Sequence, residues 1–158
     1  MRRIAIILAL MGSAQAADLV GTTVPPFPDG LDEQGGSCIG PTPERLCERG
    51  VGILIDAAGK QVGVYTGTEA GHRPDGRALW RVTDQLPYPK LGKGQDLIFA
   101  QCRHQGVDDG TVMAVVRRSK LEWLPAVSWA YRVDGASGKF VKLDPKGVDC
   151  VNEALDGD

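Results

Sequence analysis

The sequence predicts a mainly β protein: a small antiparallel β-sandwich or open barrel, stapled by disulfides, with one short N-terminal helical turn. Three observations carry this. Val127-Ser128-Trp129-Ala130-Tyr131-Arg132-Val133 alternates apolar and polar residues at period two, the pattern of a strand with one buried side. The 158-residue chain holds 21 glycines and 10 prolines, which suits many tight turns better than a helical bundle. Beyond the first residues no apolar stripe recurs at three- and four-residue spacing over ten residues or more, so helices are not expected to dominate.

Taken in order, the chain opens on Arg2-Arg3, an apolar run from Ile4 to Met11, and Ser13-Ala14-Gln15-Ala16. A basic start, a short apolar stretch and a small-x-small site describe a secretory signal peptide over residues 1–16, cleaved after Ala16. The run is too short to span a bilayer, and no cysteine follows it to carry a lipid, so no stable membrane anchor is expected. Cleavage removes two arginines and no acid, taking the formal charge from −2 to −4. That balance gives no support to a nucleic-acid or anionic-membrane partner.

Residues 17–36 form a Pro- and Gly-rich lead-in. Val24-Pro25-Pro26-Phe27-Pro28 excludes a helix and favours extended chain. Two readings stand side by side: an arm anchored on the body through Phe27, or a loose terminal tail. Residues 37–158 are expected to form a single β-rich domain.

Thr42-Pro43-Glu44-Arg45-Leu46-Cys47-Glu48-Arg49-Gly50 carries helix punctuation. Thr42 is placed as N-cap, Pro43 at the first helical position, and Gly50 after the last. Val51–Asp56 and Gln61–Thr66 read as a hairpin, turned by Asp56 and Gly59. Gly67–Arg77 reads as a long polar connection, Ala78–Thr83 as a strand, and Gln85–Gln95 as a second irregular stretch. Leu97–Arg103 is the next strand. Thr111–Arg117 follows, strongly β-branched. Trp123 falls in a connection, with Pro125 limiting any strand there. Phe140–Leu143 returns from the Asp134–Lys139 turn.

Cys38, Cys47, Cys102 and Cys150 are an even set in a chain expected in the periplasm or outside the cell, where disulfides persist. Four cysteines allow three pairings, among which sequence does not choose. The preferred one is Cys38–Cys47 with Cys102–Cys150, a small loop around the helical turn and a tie from a mid-sheet strand to the C-terminal segment. No Cys-x-x-Cys pair supports zinc, and no motif calls for a cofactor.

Chemistry is poorly marked. His72 and His104 are the two histidines, and no Gly-x-Ser-x-Gly elbow offers a nucleophile. Asp108-Asp109-Gly110 lacks the ligand spacing of a calcium loop. No catalytic residue is assigned, and an enzyme is not expected. Binding is better supported, because long loops on a rigid scaffold concentrate recognition residues. His72, Arg73 and Asp75 in the first loop are the candidate binding residues, with Tyr88, Lys90 and Lys93 in the second. The competing reading of both segments is plain solvated connection.

Gly135-Ala136-Ser137-Gly138-Lys139-Phe140 resembles in composition the Ser/Gly/Ala-then-aromatic loop of small periplasmic lysozyme inhibitors. The order differs, so the motif is not matched and no inhibitory residue is carried over. The leader, the disulfides, the small β scaffold, the elaborated loops and the lack of a catalytic signature together point to a protein partner: an exported inhibitor or immunity protein that neutralises an envelope hydrolase or toxin by loop insertion. Two alternatives remain: an envelope assembly module that binds through the arm or a strand edge, and a small hydrolase using His72 or His104.

Overall fold

A computed structural model describes residues 17–40 and 42–155; the expected leader lies outside them. Among the described residues, twelve strands form two antiparallel sheets. Sheet one has the order β1-β5-β4-β3-β2, built from β1 (Thr23–Val24), β2 (Leu31–Ile39), β3 (Arg49–Asp56), β4 (Gln61–His72) and β5 (Ala78–Pro87). The other seven strands make sheet two. They are β6 (Gln95–Phe99), β7 (Cys102–His104), β8 (Val107–Asp108), β9 (Val112–Arg117), β10 (Trp123–Val133), β11 (Phe140–Lys142) and β12 (Val148–Val151). Its order is β6-β9-β10-β12-β7-β8, with β11 also on β10. Both alternatives of the expected fold class are present in one molecule, because two sheets face each other and sheet two curls into a half-barrel.

The curl explains a strand that sequence reads as continuous. Leu97–Arg103 is broken at Ala100, which takes a positive φ of 68°. β6 pairs with β9 on one side of the curl and β7 pairs with β12 on the other. One bent stretch of chain thus serves both ends of the same sheet. Inside lie Val112, Ala114, Val116, Leu124, Ala130, Val148 and the Cys102–Cys150 disulfide. Cys102 and Cys150 are direct register partners, so the bond fastens the two strands that complete the curl.

β10 is longer than expected. Trp123 belongs to it, and Pro125 is accommodated opposite Asp149 of β12. From Trp129 onward the alternation separates two faces and both are covered, whereas Val127, expected on the buried face, is exposed with Ser128 where the β9–β10 register shifts. Trp129, Tyr131 and Val133 pack against sheet one with Ile39, Val51 and Val64, whereas Ala130 points into the curl, fully buried. A strand between two cores loses the solvent face that period two implies. β9 shows this in full, with Val112 through Val116 all buried.

A third core lies on the outer face of sheet one. Leu19 and Val24 from the N-terminal lead-in are buried with Leu54, Tyr65 and Val82, and Phe27, Leu31 and Trp80 pack partly buried at the margin of this core. Of the two readings of residues 17–36, the packed arm is the one present: Leu19 and Val24 are almost fully buried, and Thr23–Val24 pairs with Trp80–Arg81. β2 runs across the expected boundary at Gly36.

The helical punctuation at 42–50 yields only a 3-10 turn, Pro43–Arg45. Cys47, at φ 71°, ends it in place of Gly50. Gly50 is instead a buried β3 residue paired with Cys38 and Gly67. The Cys38–Cys47 bond spans nine residues and holds the turn against β2. The preferred pairing of all four cysteines is thus the one present, and no described cysteine is free. Two disulfides are compatible with an extracellular or periplasmic location.

Candidate functional site

Sequence reads Gly67–Arg77 as a loop. In the structure β4 continues to His72, and only Arg73–Arg77 turns. The reason is geometric. β3 ends its pairing with β4 at Arg49, opposite Thr68, while β4 and β5 go on through Glu69–Trp80 to His72–Ala78. β1 still flanks β5 at Trp80, so only the short stretch from Ala70 to Leu79 projects as a two-stranded ribbon, with a bulge at Ala70–Gly71 and Gly71 at φ 103°.

Its tip is internally organised. Arg73 N donates to Arg77 O at 2.8 Å, and Gly76 N to Arg73 O at 2.9 Å. The Asp75 carboxylate accepts from Arg77 N at 3.1 Å and Arg77 Nε at 3.2 Å, with Arg73 Nε at 3.5 Å. These donors, the Arg77 backbone N–H first, hold the Asp75 carboxyl below its usual range. His72 Nδ1 lies 3.3 Å from the Glu69 carboxylate. Exposed ion pairs of this kind add little stability, but together with the turn they reduce the conformations the tip must lose on binding.

Tyr88, Lys90 and Lys93 sit elsewhere. The second irregular stretch is shortened, because β5 runs to Pro87; what remains begins at Tyr88, whose N–H donates to Val62 O at 3.2 Å. Tyr88 and Lys90 line a concavity of about 510 Å³ with Lys60 and Leu91, and Lys93 lies outside its lining. Burial, then the Asp96 charge, pushes the Tyr88 hydroxyl upward. Val62 and His72 are near opposite ends of β4, which at strand rise separates the two loops by about 30 Å. The six candidate residues therefore form two patches, not one face.

The hexapeptide 135–140 does not project. Arg49 Nη2 donates to Gly135 O at 2.8 Å, Thr83 Oγ1 to Gly138 O at 2.7 Å, and Phe140 N to Asp84 Oδ2 at 2.8 Å. Gly138, at φ 66°, is buried beneath Arg49 Nη1. These bonds clamp the β10–β11 turn onto sheet one, beside a cavity of about 660 Å³ lined by Ile39, Arg45, Arg49, Asp109, Arg132 and Asp134 among others. A Cβ at Gly138 has no space, so Gly138→Ala is expected to cost about 2 kcal/mol in urea unfolding. Unchanged stability would show that the turn is not clamped.

His104 pairs in register with Val107, while Asp108 faces Arg103. Arg103 binds Asp149 through two hydrogen bonds and stacks 3.5 Å over the Trp123 ring. Asp149 and Trp123 are thereby engaged in a structural stack with Arg103, next to His104 in the chain.

Sequence reading missed the outer face of sheet one. Trp80 lies flat there: a Cβ on Gly50 would meet Cε2, Cδ2 and Cζ2 of the indole at 2.9, 3.0 and 3.0 Å. Three ring atoms at nearly equal distance place Gly50 under the ring face. Tyr65 similarly covers Gly52, and its hydroxyl donates to Glu33 Oε1 at 2.8 Å. Two shallow concavities, about 240 and 250 Å³, flank Trp80 and share both Trp80 and Glu33. Gly50-x-Gly52 and Gly63-x-x-x-Gly67 were the available signal, since glycines on one face of paired strands mark close approach of another group.

Compared with protein-family models, with curated proteins and with solved structures, the chain matches none. Fold and geometry define its class: a disulfide-stapled, two-sheet β protein with one projecting, internally bonded hairpin.

Proposed function

We propose that this is an exported protein-binding protein, an inhibitor or immunity protein that neutralises a cell-envelope hydrolase, and that the β4–β5 tip is the inserted element. The observation that carries the reading is the extension of β4 and β5 past β3 into a ribbon capped by Arg73, Asp75 and Arg77. Such a ribbon is narrow enough to enter a cleft, and its turn is already set by backbone and carboxylate hydrogen bonds. The signal-like leader and the two disulfides support export to the periplasm or beyond. The docked turn at 135–140 is a poorer candidate for insertion, because its backbone is committed to sheet one.

The test is the release of soluble fragments from peptidoglycan by an envelope extract, with and without the purified disulfide-bonded protein. Wild type is expected to suppress release. The variant Arg73→Ala/Asp75→Ala/Arg77→Ala is expected to require about thirtyfold more protein, the loss typical of a binding hot spot. Its folding stability should stay within about 0.5 kcal/mol of wild type, because the substituted side chains are at the surface. No suppression by wild type, or equal suppression by the variant, would contradict the proposal.

A further inference from the structure

The projecting tip and the outer face of sheet one are contiguous. Arg77 and Ala78, at the base of the tip, line one of the two concavities beside Trp80, together with Pro25, Phe27, Asp32 and Glu33. The other continues past Trp80 along β2 and β3, over Gly36, Ser37 and Gly50. One face of the indole rests on Gly50, and the ring, only partly buried, borders both concavities. Glu33 lies against that platform. Its carboxylate is fixed by the Tyr65 hydroxyl at one oxygen, and no other side chain among the described residues bonds it. The cation at this end, Arg77, holds Asp75 at 3.1 Å and shares it with Arg73. Two acids, Asp32 and Glu33, outnumber the one lining cation, Arg77, beside the ring, and a ring face is itself negative, so the groove carries a net negative lining.

We infer that this groove seats an arginine side chain of the protein partner. Guanidinium is planar, stacks on an aromatic face and offers an edge of N–H donors to a carboxylate. The groove supplies both halves, a flat indole and the free oxygen of Glu33, and the Phe27 and Pro25 side receives the aliphatic stem. The inference rests on the proposed protein-binding role, to which it adds the chemistry of the partner: a basic patch that meets the groove while the tip enters the cleft beside it.

The experiment is a titration of the ¹⁵N-labelled disulfide-bonded protein with N-acetyl-arginine methylamide, followed through the indole N–H resonances. The Trp80 signal is assigned by its loss in Trp80→Phe. The expected result is a saturable shift of the Trp80 indole, with Trp123 and Trp129 unmoved and a dissociation constant on the order of 10 mM, as one stacked and paired side chain supports. Glu33→Gln keeps an acceptor for Tyr65 but removes the charge, and should weaken binding about fivefold. The inference is overturned by no saturable shift, by equal affinity in Glu33→Gln, or by a Trp80 response to chitotriose with none to blocked arginine, which would mark a glycan platform. The titration uses no partner, so its failure is separable from failure of hydrolase suppression. Suppression without the shift removes the arginine seat alone, and the shift without suppression supports the seat while removing the inhibitor reading.

Discussion

Replacing both cysteines of the Cys102–Cys150 pair by alanine is expected to remove about 4 kcal/mol of unfolding free energy on the chain-entropy model. The bond joins residues 48 apart in sequence, so its loss frees a long loop in the unfolded chain. Both residues are also core residues, 3% and 0% exposed, inside the curl of sheet two. For a domain of this size that loss is a large part of the total stability. The Cys38–Cys47 pair closes only nine residues and should cost about 3 kcal/mol on the same model. Urea unfolding of the two double variants checks the order. A smaller loss for Cys102/Cys150 than for Cys38/Cys47 would mean that the curl is held chiefly by the packing of β9 and β10.

Tyr65 carries the second large effect. It is among the largest fully buried side chains, packed between Gly52 and the N-terminal arm, with Phe27 edge-on at 6.0 Å. Tyr65→Ala is expected to cost about 4 kcal/mol, because the ring leaves a cavity the flat glycine face cannot close. Tyr65→Phe keeps the ring but removes the donor to Glu33, for about 1 kcal/mol. Burial first, then the Glu33 charge and hydrogen bond, raises the Tyr65 pKa far above the ordinary tyrosine value. The sign follows. Below about pH 10 the hydroxyl is protonated in both states, and its contribution is fully present. Above that, the unfolded tyrosine ionises and the folded one does not, so stability falls by about 1.4 kcal/mol per pH unit for this group. Between pH 10 and 11.5, unfolding of wild type should therefore steepen relative to Tyr65→Phe. Parallel curves would show that the hydroxyl ionises in place.

Much of the architecture is legible in sequence because its signals are local. Asp56 and Gly59 announce the β3–β4 turn, and Asp56 Oδ1 accepts from Ala58 and Lys60 as an Asx-type turn requires. Asp134 Oδ2 likewise accepts from Ser137 N and Oγ, while Gly138, at positive φ, donates its N–H to the Asp134 backbone carbonyl. What is not legible depends on distant partners. Ala130 reads as solvent-facing until the curl folds over it. Gly67–His72 reads as loop because its glycine and polar residues satisfy no burial pattern, yet backbone pairing with β5 makes it strand. The candidate residues divide for the same reason: sequence leaves open whether 67–77 and 85–95 converge, and β5, the strand between them, carries the chain from one end of β4 to the other. Trp80 and Glu33, separated by 47 positions, meet only through the register of β2, β3, β4 and β5.

The central claim, that the β4–β5 tip is the element that meets the partner, is tested most directly by photocrosslinking in the intact envelope. A benzophenone amino acid placed at Pro74, exposed in the tip, is expected to capture one envelope hydrolase. The same group at Leu91, exposed at the far end of sheet one, should capture none. Capture from position 91 alone, or of no hydrolase from position 74, would contradict the account.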